Sequence, residues 1–198
     1  MRDAENRSFC SITWLTITAI GVGLVTVSAT QIVPKRFVWN ASPSVPVGLY
    51  WIADGAPERG DIVLVELPEP YRTIADQRGY LPKNLTALKR VSALSGDRVC
   101  RFGRTIFVND EAVSVARLHD IRGLKLPEWS GCRTLKPDEV FLLTDHPNSF
   151  DGRFFGPIDR SAITGIAHPV WIDGGGCGLD RDGGGWGERL GADDKIKG

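Results

Sequence analysis

At 198 residues the chain can bury one ordinary core and still carry extra segments. Its 24 Lys and Arg balance its 24 Asp and Glu, so no net field recruits nucleic acid or another polyanion. The three histidines are scattered and the four cysteines include no Cys-x-x-Cys pair, which argues against structural zinc and leaves no metal or cofactor expected.

From Ser8 to Val33 no residue is charged. A helix over that run would cross a hydrocarbon core of ~30 Å. Its threonines can bond back to carbonyls within the helix, so they do not forbid a span. Trp14 and Trp39 lie towards its two ends, where interfacial aromatics are enriched. The competing reading is a signal peptide cut after Ala29, but a signal h-region runs ~7–15 residues and this stretch is longer. Residues 1–35 are therefore expected to form a retained transmembrane anchor. Charge does not orient it, since Arg2 and Arg7 before the run match Lys35 and Arg36 after it.

The stretch Asn40–Tyr50 follows, reading Asn-Ala-Ser-Pro-Ser-Val-Pro-Val-Gly-Leu-Tyr. Pro43 and Pro46 fix their own φ and push Ser42 and Val45 into extended backbone, so the chain around Ser44 is stiff before any tertiary contact forms. Gly48 allows a close approach that a Cβ would forbid. A small hydroxyl on a pre-shaped loop suits a nucleophile, because positioning lowers the entropic part of a barrier. Taken alone, the stretch reads better as a proline-punctuated linker, since Ser-Pro pairs are common in loops. Ser44 lies about eleven residues beyond the apolar run, so extended chain keeps it within ~36–40 Å of the membrane.

Residues 36–172 read as a β-rich domain. Tyr50–Ile52 and Ile62–Leu67 form strands bounded by Gly, Asp and Pro turns. Tyr71–Asn84 is polar, with a helical turn around Ile74–Gln77. In the strand Leu88–Leu94, alternation sends Lys89, Val91 and Ala93 to one face and Leu88, Arg90 and Ser92 to the other. A lysine sharing a face with apolar neighbours is unusual, although an edge lysine that blocks aggregation gives the same pattern. Arg98–Phe102 and Thr105–Val108 form a hairpin, and Ala112–Val115 follows after a second turn. A long polar connection, Arg117–Arg133, leads to the strand Glu139–Thr144. That strand opens onto Asp145–Arg153, a loop dense in acid–base and hydrogen-bonding groups. Ala162–Ile172 closes the domain as a strand pair around Gly165. From Asp173 to Gly198 the chain is Gly-rich, charged and poor in apolar residues, which predicts a disordered tail.

Three arrangements could carry chemistry. In the first, Lys89 activates Ser44. A serine hydroxyl needs a base, and an amine can serve only when neutral, so a lysine pKa of about 10.4 must fall toward 7–8 at a cost of ~4 kcal/mol. Lys89 has the apolar setting for this, whereas Lys83, Lys125 and Lys136 lie in polar loops. The second is a Ser-His-Asp set using His146 with Asp145 or Asp151. The third is a metal hydrolase drawing on His119, His146 and His168, for which no pair has helical ligand spacing. Separately, a Cys100–Cys132 disulfide would tie the long connection to the first hairpin strand and imply an oxidising compartment, though two free thiols fit the sequence as well.

Four blocks in order behind the apolar run resemble the type I signal peptidase family of membrane-anchored Ser–Lys proteases, and most its conjugative-transfer branch. They are Ser42–Tyr50, Arg59–Val65, Leu88–Asp97 with Ser95 where a proline is usual, and Asp145–Arg153 with the core Ser149-Phe-Asp151-Gly-Arg153. The resemblance implies a mostly β fold, an antiparallel signal-peptidase-like catalytic domain with one N-terminal transmembrane helix. It implies Ser44 as nucleophile and Lys89 as general base, with the Ser44 N–H and the Ser42 hydroxyl as the oxyanion hole. Ser149 would orient the lysine amine, and Asp151 and Arg153 would brace the site. The ordinary family pattern at the brace is Asp-Ser-Arg, and Asp-Gly-Arg is the conjugative form. The resemblance further implies a single-pass protein of the inner membrane with its catalytic domain in the periplasm. Its partners would be a pilin precursor or other signal-peptide-bearing substrate and conjugation or type IV secretion components, with no nucleic acid. The product of pilin processing could be linear or cyclised. The rival readings are a general type I signal peptidase and a non-catalytic, membrane-tethered partner of a secretion complex.

Overall fold

The computed structural model describes residues 14–23, 25–26 and 36–173. A division into two units falls between Phe37 and Val38. In the first, residues 14–23, 25 and 26 are helical. Their threonines bond back one turn, Thr18 Oγ1 to the Trp14 carbonyl and Thr26 Oγ1 to that of Val22, each at 2.8 Å. The expected span Ser8–Val33 lies only partly within the described residues. Among these, no helix is long and apolar enough to cross a membrane. The tail beyond Asp173 lies outside them.

The second unit is built from two sheets whose described strand pairings are antiparallel. The larger contains β1 (Phe37–Asn40), β2 (Gly48–Ala53), β3 (Ile62–Val65), β4 (Ala87–Ala93), β9 (Glu139–Leu143), β10 (Ile158–Asp159) and β11 (Ile163–Ile172), in the order β1-β2-β11-β3-β4-β9-β10. The smaller contains β5 (Arg98–Phe102), β6 (Thr105–Val108), β7 (Glu111–Val115) and β8 (Gly131–Thr134), in the order β7-β6-β5-β8.

The large sheet is covered on both faces. Val63, Val65 and Val91 join one buried cluster with Phe150, Phe154 and Phe155, while Leu64 and Leu88 join another with Val45, Tyr50 and Ile52. This explains why β3 reads as an unbroken Ile-Val-Leu-Val run rather than an alternating one. A third cluster, including Ala93, Val99, Ile106, Phe141 and Leu143, joins the two sheets. The helix α1 (Tyr71–Gln77) is a full two turns, longer than the single turn expected.

Two expectations are corrected. Ala162–Ile172 is not a strand pair: β11 is one continuous strand that pairs with β2 along most of its length and with β3 at its start, with a register shift between Ile163 and Gly165. The Gly165 signal marked that irregularity rather than a turn. The connection Arg117–Arg133 is not wholly irregular either, since it ends in β8. All four residues of β8 are exposed, so no alternation announced it. Register does the work instead, because Cys132 stands opposite Cys100 and the two form a disulfide.

Closing a loop of this size stabilises by about 3–4 kcal/mol in the chain-entropy account. The paired change Cys100→Ser with Cys132→Ser is therefore expected to lower unfolding free energy by about 2–4 kcal/mol in a urea titration. An unchanged midpoint would mean that β8 is held by its backbone ladder alone.

Candidate active site

The site begins on β4. Lys89 lies directly opposite Val63 of β3 and is only 5 % exposed, on the same face as buried Val91. A register shift between Val91 and Ala93 turns Ala93, expected on that face, to the other one, where it joins Phe141 and Leu143. Burial pushes the Lys89 amine down from 10.5 to about 8; the nearby Asp151 carboxylate opposes the fall and the Arg153 guanidinium adds to it. The ammonium has one side-chain partner, donating to Ser149 Oγ at 2.6 Å.

Ser149 stands in the loop that leaves β9, and a buried ion pair shapes that loop. Asp151 is fully buried and Arg153 is 2 % exposed. Asp151 accepts from Arg153 Nη2 at 2.6 Å, Arg153 Nε at 2.9 Å and the Arg153 backbone N–H at 3.1 Å. Thr144 adds its N–H at 3.2 Å and its hydroxyl at 3.1 Å. Five donors leave the carboxylate no free direction. Asp151 also caps the short helix α2 (Gly152–Phe155) through the Arg153 N–H. Arg153 Nη2 donates further to the carbonyls of His146, at 2.7 Å, and Thr144, at 3.3 Å. The loop is thus wrapped around its own guanidinium, with Ser149 held between His146 and Asp151.

The Gly of Asp-Gly-Arg has a steric reason. A Cβ on Gly152 would lie 2.6 Å from the Leu142 carbonyl oxygen and 2.7 Å from the Phe141 ring. Trp129 Nε1 seals the same corner by donating to the Gly152 carbonyl at 3.0 Å.

Ser44 lies in the turn between β1 and β2. Its Oγ is 3.0 Å from Ser42 Oγ, and its N–H donates to that same oxygen at 3.3 Å. The three groups expected to make the nucleophile and oxyanion hole are therefore gathered in one place. Ser44 Oγ takes Ser42, not Lys89, as its hydrogen-bond partner. Val45, the neighbour of Ser44, is buried in the same cluster as Leu88, the neighbour of Lys89, so the turn is seated against the start of β4. Gly48 is indispensable here, since a Cβ would collide with the Trp171 carbonyl of β11.

The other two arrangements do not assemble around Ser44. The ring nitrogen Nδ1 of His146 accepts from the Asn148 N–H at 3.3 Å, and neither Asp145 nor Asp151 bonds to the imidazole. Among the described residues no three His, Cys, Asp or Glu side chains converge as metal ligands. A cavity lined by Tyr80, His119, Leu126, Pro147, Phe150 and Phe154 adjoins the 145–153 loop but includes none of Ser44, Lys89 or Ser149.

Residues 11–172 match the family described as signal peptidase, peptidase S26. The chain belongs to that family. It is 35% identical over 142 residues to a plasmid transfer protein TraF of Escherichia coli, covering 66% of this chain and 80% of that one. A probable conjugal transfer protein TraF of Sinorhizobium fredii is 34% identical over 166 residues, covering 78% and 85%. A crystal structure of a signal peptidase I from Enterococcus faecalis covers 58% of this chain and 98% of its own, at 18% identity and a TM-score of 0.35.

Sequence reasoning missed several residues of this signal peptidase family member. Thr144 and Arg101 were not singled out, yet Arg101, only 1 % exposed, donates Nη1 to the Arg153 carbonyl at 2.7 Å. The available signal was its place in a strand beside the apolar pair Val99 and Cys100, both buried. Asn40 and Tyr50 were treated as the ends of a stretch, whereas both bond to the backbone of the Ser44 turn.

Two predictions concern this frame. Replacing Gly152 by Ser, as in the ordinary family pattern, is expected to cost about 1–3 kcal/mol in stability, measured by thermal unfolding. The second follows from Lys89. Its folded-state pKa is depressed, so the unfolded chain holds a proton that the folded one has released between pH about 8 and 10.5, and stability rises across that window. Below pH 8 the full penalty of about 3 kcal/mol is present. Lys89→Met should therefore stabilise the protein at pH 7, with the gain shrinking to nothing by pH 10.5 in paired urea titrations. A destabilised Lys89→Met at pH 7 would contradict the burial penalty.

Proposed function

We propose that this chain is a membrane-anchored Ser–Lys endopeptidase that processes a pilin precursor for conjugative DNA transfer. The observation that carries the reading is the buried Lys89 amine, held by Ser149 with a pKa of about 8, in a chain of the signal peptidase family. The conjugative role is supported by the similarity to plasmid and conjugal transfer proteins. Membrane anchoring is supported by the N-terminal helical residues, where Trp14, Leu15, Ile17, Ile20, Val22 and Val25 are all exposed. A helix apolar all round seeks lipid or a partner rather than water. A periplasmic domain is supported by the Cys100–Cys132 disulfide, because such bridges persist in oxidising compartments. The stacked and half-exposed pair Trp39 and Trp171, with ring centroids 5.6 Å apart, supports placement of the Ser44 turn at the membrane interface.

In this mechanism Ser44 Oγ attacks the scissile carbonyl as its proton passes to neutral Lys89. The step requires Ser44 Oγ to leave Ser42 for the amine, and Ser42 is then free to donate its hydroxyl to the oxyanion beside the Ser44 N–H. Each such donor is typically worth ~2.7–4 kcal/mol in rate. The C–N bond breaks as Lys89 returns the proton to the leaving amine, and the substrate acyl group stays on Ser44. Water deprotonated by Lys89 then releases a linear product. Attack by the precursor's own terminal amine would instead close a ring.

Co-expression with a candidate pilin precursor, followed by intact mass measurement of the product, tests the reading. Ser44→Ala and Lys89→Ala should each abolish processing, and Lys89→Arg should not restore it, since a guanidinium does not give up its proton. For the wild type, kcat should rise about tenfold per pH unit below pH about 8 and level above it, as the amine becomes neutral. Processing that survives Ser44→Ala would favour a non-catalytic assembly role.

A further inference from the structure

The Ser44 turn has an unusual hydrogen-bonding problem. Pro43 and Pro46 supply no N–H, so the peptide bonds after Ser42 and Val45 carry strong acceptors and no donor. Such carbonyls must find donors elsewhere or lose stability. In the structure a single side chain meets the need. Asn40, at the end of β1 and 8 % exposed, donates Nδ2 to the carbonyl of Ser42 at 2.7 Å, to that of Val45 at 3.0 Å and to that of Pro46 at 3.0 Å. Its Oδ1 accepts the Ser42 N–H at 3.1 Å. Tyr50, with no exposed surface, adds its hydroxyl to the Pro46 carbonyl at 2.7 Å.

The consequence is a direction. The carbonyls of Ser42, Val45 and Pro46 are drawn inward onto one buried amide, which fixes the two proline-containing peptide units of the turn. The Ser44 N–H is left outside that network, with only the long contact to Ser42 Oγ. An oxyanion hole requires this: a donor that is present, aimed and not already satisfied by a strong acceptor.

We infer that Asn40 is a positioning residue, one that replaces the donors removed by Pro43 and Pro46 and thereby presents the Ser44 hydroxyl and N–H to the substrate carbonyl. Asn40 touches neither substrate nor reacting atoms; it acts through the turn. An aspartate at this position would keep the acceptor for the Ser42 N–H and set acceptor oxygens against three carbonyls. A glutamine would keep the amide on a longer stem.

This inference rests on the Ser44 nucleophile reading, so the test separates the two. The full chain in lipid nanodiscs is reacted with a fluorophosphonate, which phosphonylates an activated serine hydroxyl with loss of fluoride, and labelling is followed by intact mass. Wild type should be labelled and Ser44→Ala should not. Asn40→Asp should lower the saturating labelling rate on the order of 10²-fold, the scale of a ~1 Å misplacement. The half-saturating probe concentration and the pH midpoint set by Lys89 should stay unchanged, and Asn40→Gln should recover part of the rate. Folded Asn40→Asp labelled at the wild-type rate would overturn the positioning role while leaving Ser44 as nucleophile. If both Asn40 variants fail to fold, as read by circular dichroism, the residue serves stability alone and the inference is wrong. Labelling of Ser44→Ala at the wild-type rate, or no labelling of wild type, would sink the nucleophile reading, and the inference would fall with it.

Discussion

One constraint governs the site: an amine has been taken out of water on a sheet face that it shares with buried valines. Nothing about β4 itself demands a lysine at residue 89, since Val91 on the same face and Val63 opposite it on β3 are fully buried. The charged form is therefore penalised by its surroundings, and the pKa of about 8 expresses that penalty. What remains to the amine is Ser149, and the rest of the loop exists to hold that hydroxyl in place. A serine on a mobile loop would let the amine find water, and its pKa would recover. Five hydrogen bonds on Asp151 and a guanidinium threaded through the carbonyls of Thr144 and His146 prevent this.

The two functional loops solve the same problem by opposite chemistry. The 145–153 loop closes around a buried ion pair, where removing one partner leaves a charge stranded at a cost of ~3–5 kcal/mol. The Ser44 turn uses no charge. It relies on prolines that limit its conformations and on the neutral amide of Asn40 to receive the carbonyls those prolines leave unserved. Near Lys89 the charges of Asp151 and Arg153 push the amine in opposite directions, and desolvation is the largest influence on it.

Much of this was legible in the sequence. Alternation placed Lys89 with Val91 on the apolar face, but it did not show the bulge that turns Ala93 to the other face, and the proline spacing around Ser44 marked a stiff turn. The strands β2, β3, β5, β6 and β9 announced themselves by β-branched runs between turn residues. What stayed hidden has physical causes. β8 is exposed throughout and paired by register and a disulfide, so it lacks any hydrophobic period. β11 was split by Gly165 because a strand glycine and a turn glycine look alike in one dimension. Arg101 and Asn40 act through bonds to backbone carbonyls, one distant in sequence and the others two to six positions away, and Thr144 acts through its N–H and hydroxyl on the Asp151 carboxylate; no side-chain pattern encodes which carbonyl will lack a donor.

Arg101 shows why the small sheet is more than an appendage. It sits in β5 beside Cys100, and its guanidinium, almost fully buried, ends on the Arg153 carbonyl inside α2. That carbonyl belongs to a helix of only four residues, too short to stabilise itself by its own ladder. A donor from outside must therefore satisfy it, and β5 supplies one from a strand clamped on one side by β6 and on the other by the disulfide to β8. The path from that covalent bridge to the lysine amine runs through Cys100, Arg101, Arg153, Asp151 and Ser149, each joined to the next by a peptide bond, a hydrogen bond or a short loop. The Arg101 bond thus ties the disulfide-clamped sheet to the loop that carries Ser149.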